Sequence, residues 1–158
     1  MRSFGYPVKR RGLFGMILLA IAVLAPSVSA QTTQLDLNAY KGKVVYLDFW
    51  ASWCGPCKQS FPYMASLRQQ YAKQGLVVLT VNLDKSRGQA DAFLSKVGVT
   101  LPVTYDSSGS IAKRYQVHDM PTSMVIDRSG HVRFTHKGFY PAKKAEYSAH
   151  VAQLLNEH

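Results

Sequence analysis

Residues 44–50, Val-Val-Tyr-Leu-Asp-Phe-Trp, form a near-continuous apolar run rich in β-branched and aromatic side chains. That pattern predicts a central strand covered on both faces, which makes its one charge, Asp48, conspicuous. Residues 76–83 repeat the pattern and close on Asp84. Between these runs, residues 60–74 carry Phe61, Met64, Leu67 and Tyr71 at helical spacing and stop at Gly75, with a kink or restart expected at Pro62. Residues 89–97 read as a short helix with Phe93, Leu94 and Val97 on one side, stopped by Gly98. An extended stretch over 99–105, broken by Pro102, and a short helix over 110–115 follow.

Residues 124–126 and 132–135 predict a hairpin around the turn-rich Asp127-Arg128-Ser129-Gly130. Residues 142–156 close the chain as a helix whose core face is Tyr147, Val151, Leu154 and Leu155. Strands alternate with helices first and an antiparallel hairpin comes late, so the expected fold is α/β, a mixed sheet with helices on both faces. Residues 31–43 are a polar lead-in, with Leu35 and Leu37 expected to dock on the body.

The first thirty residues follow another rule. Arg2, Lys9, Arg10 and Arg11 come first, residues 13–25 are almost wholly apolar, and Val28-Ser29-Ala30 supplies small residues before Gln31. This order predicts a secretory signal peptide cleaved after Ala30, leaving residues 31–158 as one domain. The alternative is an uncleaved anchor through residues 13–25, but about 13 apolar residues fall short of the roughly 20 that span a bilayer as a helix.

Composition adds two constraints. With 47% hydrophobic and 18% charged residues the chain is an ordinary globular one, which excludes disordered and collagen-like classes. The formal net charge of +10 falls to +6 once the four cations of residues 1–30 are removed. A basic surface attracts acidic proteins or lipid headgroups, and the export signal argues against nucleic acid.

Two cysteines in an exported protein ordinarily suggest a structural disulfide. A bridge between Cys54 and Cys57 closes too small a loop to stabilise much, so chemistry explains the pair better. At a strand-to-helix junction the first sulfur meets the free N–H groups and positive dipole end of a helix, which stabilise the attacking thiolate. The second cysteine, one turn on, resolves the mixed disulfide. Pro56, between them, is pre-organised for a first helical turn.

Residues 47–58, Leu-Asp-Phe-Trp-Ala-Ser-Trp-Cys-Gly-Pro-Cys-Lys, resemble the active-site segment of the thioredoxin superfamily. Phe61-Pro62-Tyr63-Met64, Val81-Asn82-Leu83-Asp84, Leu101-Pro102-Val103, Tyr115-Gln116-Val117, Met120-Pro121-Thr122 and Val125-Ile126-Asp127 resemble its extracytoplasmic TlpA/ResA-like branch. The resemblance covers nearly all of residues 35–156. It implies a thioredoxin-like fold with an added helical segment after the second core strand, and a cis Met120–Pro121 bond beside the cysteines.

It also implies dithiol–disulfide exchange by Cys54 and Cys57, with Pro121 and the buried acid Asp48 as further catalytic residues. Asp48 would move a proton to and from Cys57. Trp53, Gly55, Pro56, Met120 and Thr122 would contact substrate. The implied partners are client proteins with reducible disulfides, such as apocytochrome c or copper-site proteins, and a membrane thiol electron donor. The expected state is a monomer in the periplasm, without cofactor. A thiol oxidase or isomerase, or a non-catalytic thiol-binding chaperone module, are the alternative readings.

Two departures from the resemblance bear on Asp48. Many relatives in this branch resemble one another in a glutamate three residues past the second cysteine, where this chain has Ser60. Thioredoxins place a lysine near their buried acid, and the corresponding position here is Thr80. A metal site is not expected, because structural zinc wants four ligands and one cysteine pair supplies two. His131 and His136 would face opposite sides of a strand, and His118, shortly before Pro121, is expected in a solvated loop.

Overall fold

The computed structural model describes Met1 and residues 35–157. The signal segment, its cleavage site after Ala30 and the alternative anchor lie outside the described residues. Among the described residues no helix is long and apolar enough to cross a membrane.

The sheet has five strands: β1 (Val44–Trp50), β2 (Leu76–Asn82), β3 (Val103–Tyr105), β4 (Thr122–Ile126) and β5 (Val132–Lys137), in the order β3-β2-β1-β4-β5. β1 is therefore central, and all of its residues are buried, as its apolar run predicts. The βαβ connection makes β1 and β2 parallel, and β3 continues that direction. β4 returns antiparallel to β1, and the hairpin adds β5 at the edge, where its side chains are mostly exposed.

Among the described residues four α-helices cover the sheet: α1 (Gly55–Tyr71), α2 (Arg87–Val97), α3 (Ser110–Arg114) and α4 (Lys144–Asn156). Alternation along β1 sorts the core into two layers. Val44, Tyr46 and Trp50 pack with Phe61, Met64 and Leu67 of α1, Phe93 of α2, and Tyr147, Val151 and Leu154 of α4. Val45, Leu47 and Phe49 face the other way, onto Ile111 and Ala112 of α3 and Leu35 of the lead-in. Helices thus lie on both faces, and the thioredoxin-like arrangement includes α2 as the added segment after β2.

Several boundaries differ from the pattern-based expectation. α1 begins at Gly55, five residues before the apolar periodicity starts, because its first turn is set by capping and by Pro56 rather than by a buried stripe. It runs through Pro62 uninterrupted, with Phe61 and Met64 buried on either side. A short 3-10 turn, Ala72–Gln74, continues it to Gly75, whose φ of +103° takes the left-handed conformation that ends a helix. Gly98 ends α2 in the same way at φ +68°. Only Val103–Tyr105 of the expected extended stretch pairs as a strand.

Candidate active site

Cys54 occupies the N-cap position of α1, the place where Ser, Thr, Asp or Asn usually accepts a first-turn N–H. Its Sγ fills that role, accepting from the Cys57 N–H at 3.3 Å. The two sulfurs are bonded to each other, with the Cα atoms 5.3 Å apart. Both cysteines are buried, Cys57 fully and Cys54 at 5% exposure, so what little of the pair reaches solvent belongs to Cys54. When the bond opens, the Cys57 N–H and the helix dipole remain directed at Cys54, the arrangement that favours a thiolate there.

Trp53 stands 70% exposed beside this sulfur. Trp53, Cys54, Gly55 and Lys58 form one wall of a groove of about 430 Å³, and Gln89, Phe93 and Lys96 of α2 form the other. The added helix therefore borders the cysteines. A Cβ on Gly55 would meet nothing within 4 Å, so glycine here leaves open surface next to the disulfide. Trp50, by contrast, is a core residue, packed edge-on to Phe61 with ring centroids 5.0 Å apart.

Asp48 is 1% exposed and stands on the same face of β1 as Tyr46 and Trp50, the face that carries both cysteines. Its Oδ2 has no hydrogen-bond partner. Thr80 lies directly opposite on β2 and donates its hydroxyl to the Pro102 carbonyl at 2.9 Å. Burial alone pushes the Asp48 carboxyl well above the ordinary carboxylate range. Ser60 is also buried, and its hydroxyl donates to the Cys57 carbonyl at 2.9 Å, a contact within α1.

The Met120–Pro121 bond is cis. The antiparallel register ends at Phe49↔Thr122, which sets Pro121 across from the last residue of β1, just before the cysteine loop. The Pro121 carbonyl accepts from Gly138 N–H at 2.8 Å, and Met120 packs against the layer that contains Cys54 and Cys57. Thr122 is different. It pairs with Phe49, so its side chain faces the opposite layer, where its hydroxyl donates to the Asp119 carbonyl at 2.7 Å. His118 lines a groove with Thr122 and Met124 on that far side. His131 lies in the turn before β5, whereas His136 is buried on the strand.

One part of the site lies in the Val81-Asn82-Leu83-Asp84 segment, to which the sequence reading assigned no role. The buried Asp84 accepts from Ser52, at 3.0 Å from the N–H to Oδ2 and 2.9 Å from the hydroxyl to Oδ1. Asn82 Nδ2 also donates to Asp84 Oδ2, at 2.7 Å. This cluster at the end of β2 pins the loop that delivers Cys54 to the helix. Its signal in the sequence is an Asn and an Asp two residues apart at the end of a buried strand.

The comparisons with known proteins agree with this geometry. The Redoxin family model matches residues 20–151. The thiol–disulfide oxidoreductase ResA of Geobacillus kaustophilus is 37% identical over 136 residues, covering 84% of this chain and 78% of that protein. The crystal structure of a thiol:disulfide interchange protein DsbE from Chlorobium tepidum superposes with a TM-score of 0.75 at 44% identity, covering 77% of this chain and 86% of the other. The exposed lipoprotein thioredoxin Etrx1 of Streptococcus pneumoniae gives 0.62 at 36% identity, over 75% of this chain and 90% of the other. With a bonded Cys-Gly-Pro-Cys pair capping α1 of a thioredoxin-like sheet, the chain belongs to the redoxin family, as a thiol–disulfide oxidoreductase of the TlpA/ResA type.

Proposed function

We propose that this oxidoreductase works in the reducing direction, outside the cytoplasm, on disulfides of client proteins. The observation that carries the exchange chemistry is the position of Cys54, N-cap of α1 with the Cys57 N–H directed at it, and Gly55-Pro56 between the cysteines, which resembles reducing members of the family, supports the direction. In the reduced protein the Cys54 thiolate attacks a client disulfide, forming a Cys54–client bond as the other client sulfur leaves. Asp48 takes the Cys57 proton, and the Cys57 sulfur attacks Cys54. The second client thiolate departs, two electrons have passed to the client, and the Cys54–Cys57 disulfide is left. A membrane thiol donor then reverses these steps on the enzyme, and Asp48 returns the proton to Cys57.

Client contact falls to Trp53 and to the open surface over Gly55 and Pro56. Met120 and Pro121 present backbone and side chain from across β1. Thr122, with its hydroxyl turned to Asp119, contributes backbone rather than side chain. Apocytochrome c and copper-site proteins are the proposed client classes. Export through residues 1–30, cleavage after Ala30 and a periplasmic, monomeric domain over 31–158 complete the proposal. The likeness to an exposed lipoprotein thioredoxin supports the location.

The test is the reduction potential of the cysteine pair, measured by equilibration of the mature domain against graded dithiothreitol with thiol trapping. A value near about −270 mV, as in thioredoxin, supports a reductase. A value towards roughly −120 mV would make the protein an oxidant. Cys57→Ser should accumulate mixed disulfides between Cys54 and clients, and a failure to do so would remove turnover from the reading.

A further inference from the structure

The groove beside Cys54 combines apolar surface with one sign of charge. Trp53, Phe93 and Val97 supply the apolar part, and the exposed Lys58, Gln89 and Lys96 supply the polar part. One wall is the first turn of α1, and the other is α2, the added helix. That second wall is anchored in the core. The Phe93 ring lies 4.9 Å from that of Trp50 and 5.4 Å from that of Phe61, centroid to centroid. The groove is therefore built before a client arrives.

No acidic residue lines it. α1 contains none, and the one acid of α2, Asp91, is engaged elsewhere. The Tyr105 hydroxyl donates to Asp91 Oδ1 at 2.8 Å, and Arg87 Nε lies 3.5 Å from its Oδ2. The ion pairs among the described residues involve Arg87, His131, Arg133 and Lys143, and none reaches Lys58 or Lys96. An exposed lysine is ordinarily satisfied by water, so charge alone would say little. Here a lysine stands on each wall of an apolar groove next to the reacting sulfur, and their like charges leave a positive potential that an anion relieves.

We propose that Lys58 and Lys96 select clients by charge: the segment seated in the groove carries an acidic side chain close to its reacting cysteine. An apolar neighbour in the same segment rests on Trp53 and Phe93. The exchange is the one already described, in which the Cys54 thiolate bonds to one client sulfur and the other leaves as a thiolate. The lysines draw the segment in and hold it during that attack, which acts first on the association rate. A client with lysine or arginine at the same place meets like charge and is disfavoured. The inference rests on the reading of this face as the client site.

The test uses the reduced protein and three synthetic peptides, each closed by one internal disulfide and flanked by two glutamates, two glutamines or two lysines. Second-order rates of peptide reduction are followed by stopped-flow tryptophan fluorescence at low salt. Each is divided by the rate at which dithiothreitol reduces the same peptide. The glutamate peptide should react at least about tenfold faster than the lysine peptide, the low end of electrostatic steering, and added salt should shrink the ratio. Lys58→Gln combined with Lys96→Gln should bring the two peptides to parity. Lys73→Gln combined with Lys113→Gln removes the same charge beyond the far end of α1 and on α3, and should keep the preference.

Parity in the wild type would overturn the selection. So would an equal fall in both double variants, which would assign the preference to the charge of the whole surface. Equal slowing of all three peptides by the Lys58 and Lys96 changes would also overturn it, placing these lysines in tuning the Cys54 sulfur. Failure to reduce any peptide would remove the exchange reading beneath the inference, whereas reduction without preference removes the selection alone.

Discussion

Asp48 lies directly opposite Thr80 in the register of the two central parallel strands, and the Thr80 hydroxyl is directed at the Pro102 carbonyl rather than at the carboxylate. The acid on the cysteine-bearing face of β1 is thus buried without a cation or hydroxyl from its β2 neighbour, and desolvation favours its protonated form.

The first prediction concerns stability. A carboxyl with its folded value raised above 3.8 binds more protons in the folded state, so its contribution falls as pH rises from about that value through the folded one. Asp48→Asn should therefore be more stable than wild type at neutral pH, by roughly 1–3 kcal/mol, the scale of burying an unpaired polar group. The difference should vanish below about pH 4, where the unfolded chain is protonated too. Urea melts at a series of pH values check this. A difference that does not change with pH would mean that the Asp48 carboxyl titrates alike in the folded and unfolded chain, and one of opposite slope would mean that it is ionised and paired.

His136 works in the opposite sense. Burial and the neighbouring His150 lower it from 6.5 to about 4, so the folded state binds fewer protons in that window. Stability should be present above pH 6.5 and lost as pH falls to about 4, by up to roughly 3 kcal/mol. His136→Phe should remove that slope in the same melts. A nuclear magnetic resonance titration showing His136 protonating near 6.5 would contradict it.

Asp84 should matter to rate more than its distance from the cysteines in sequence suggests. Asp84→Ala leaves the Ser52 N–H, the Ser52 hydroxyl and the Asn82 amide without their acceptor. We expect a loss of about 2–4 kcal/mol in stability for a buried hydrogen-bond cluster. Insulin reduction should slow as the loop before Cys54 loosens. If thermal melts and rates both match wild type, the loop is held by something else.

Trp53 is the converse case. At 70% exposure it adds little to the core, so Trp53→Ala should change stability by less than about 0.5 kcal/mol. Its aromatic face next to Cys54 should act as an anchor for clients, and the variant should lose about tenfold or more in kcat/KM for a protein disulfide. A small dithiol such as dithiothreitol should react at nearly the wild-type rate. Equal losses for both reductants would place Trp53 in tuning the sulfur rather than in holding the client.

Much of this was legible in the sequence, for reasons of periodicity. The unbroken run Val44–Trp50 fixes a strand buried on both faces, and the stripe Tyr147, Val151, Leu154 and Leu155 fixes the closing helix. The Cys-Gly-Pro-Cys spacing needs no long-range information either, because a helix N-terminus is local chemistry. The start of α1 was less legible, since Gly55, Pro56 and Cys57 belong to it through capping and carry no apolar stripe.

Tertiary structure decided what depends on strand register. Register brings Thr80 and Ser123 to the two sides of Asp48 and sets His136 beyond Ser123, although these residues lie far apart in the chain. It also turns Thr122 to the layer away from the cysteines and leaves Met120 packed on theirs, a reversal between near neighbours that a motif does not display. Local pattern determines which segments are strands and where the thiols sit. Which side chains share a face with the buried acid is set only when the strands pair, because one residue of slip moves every side chain to the other side.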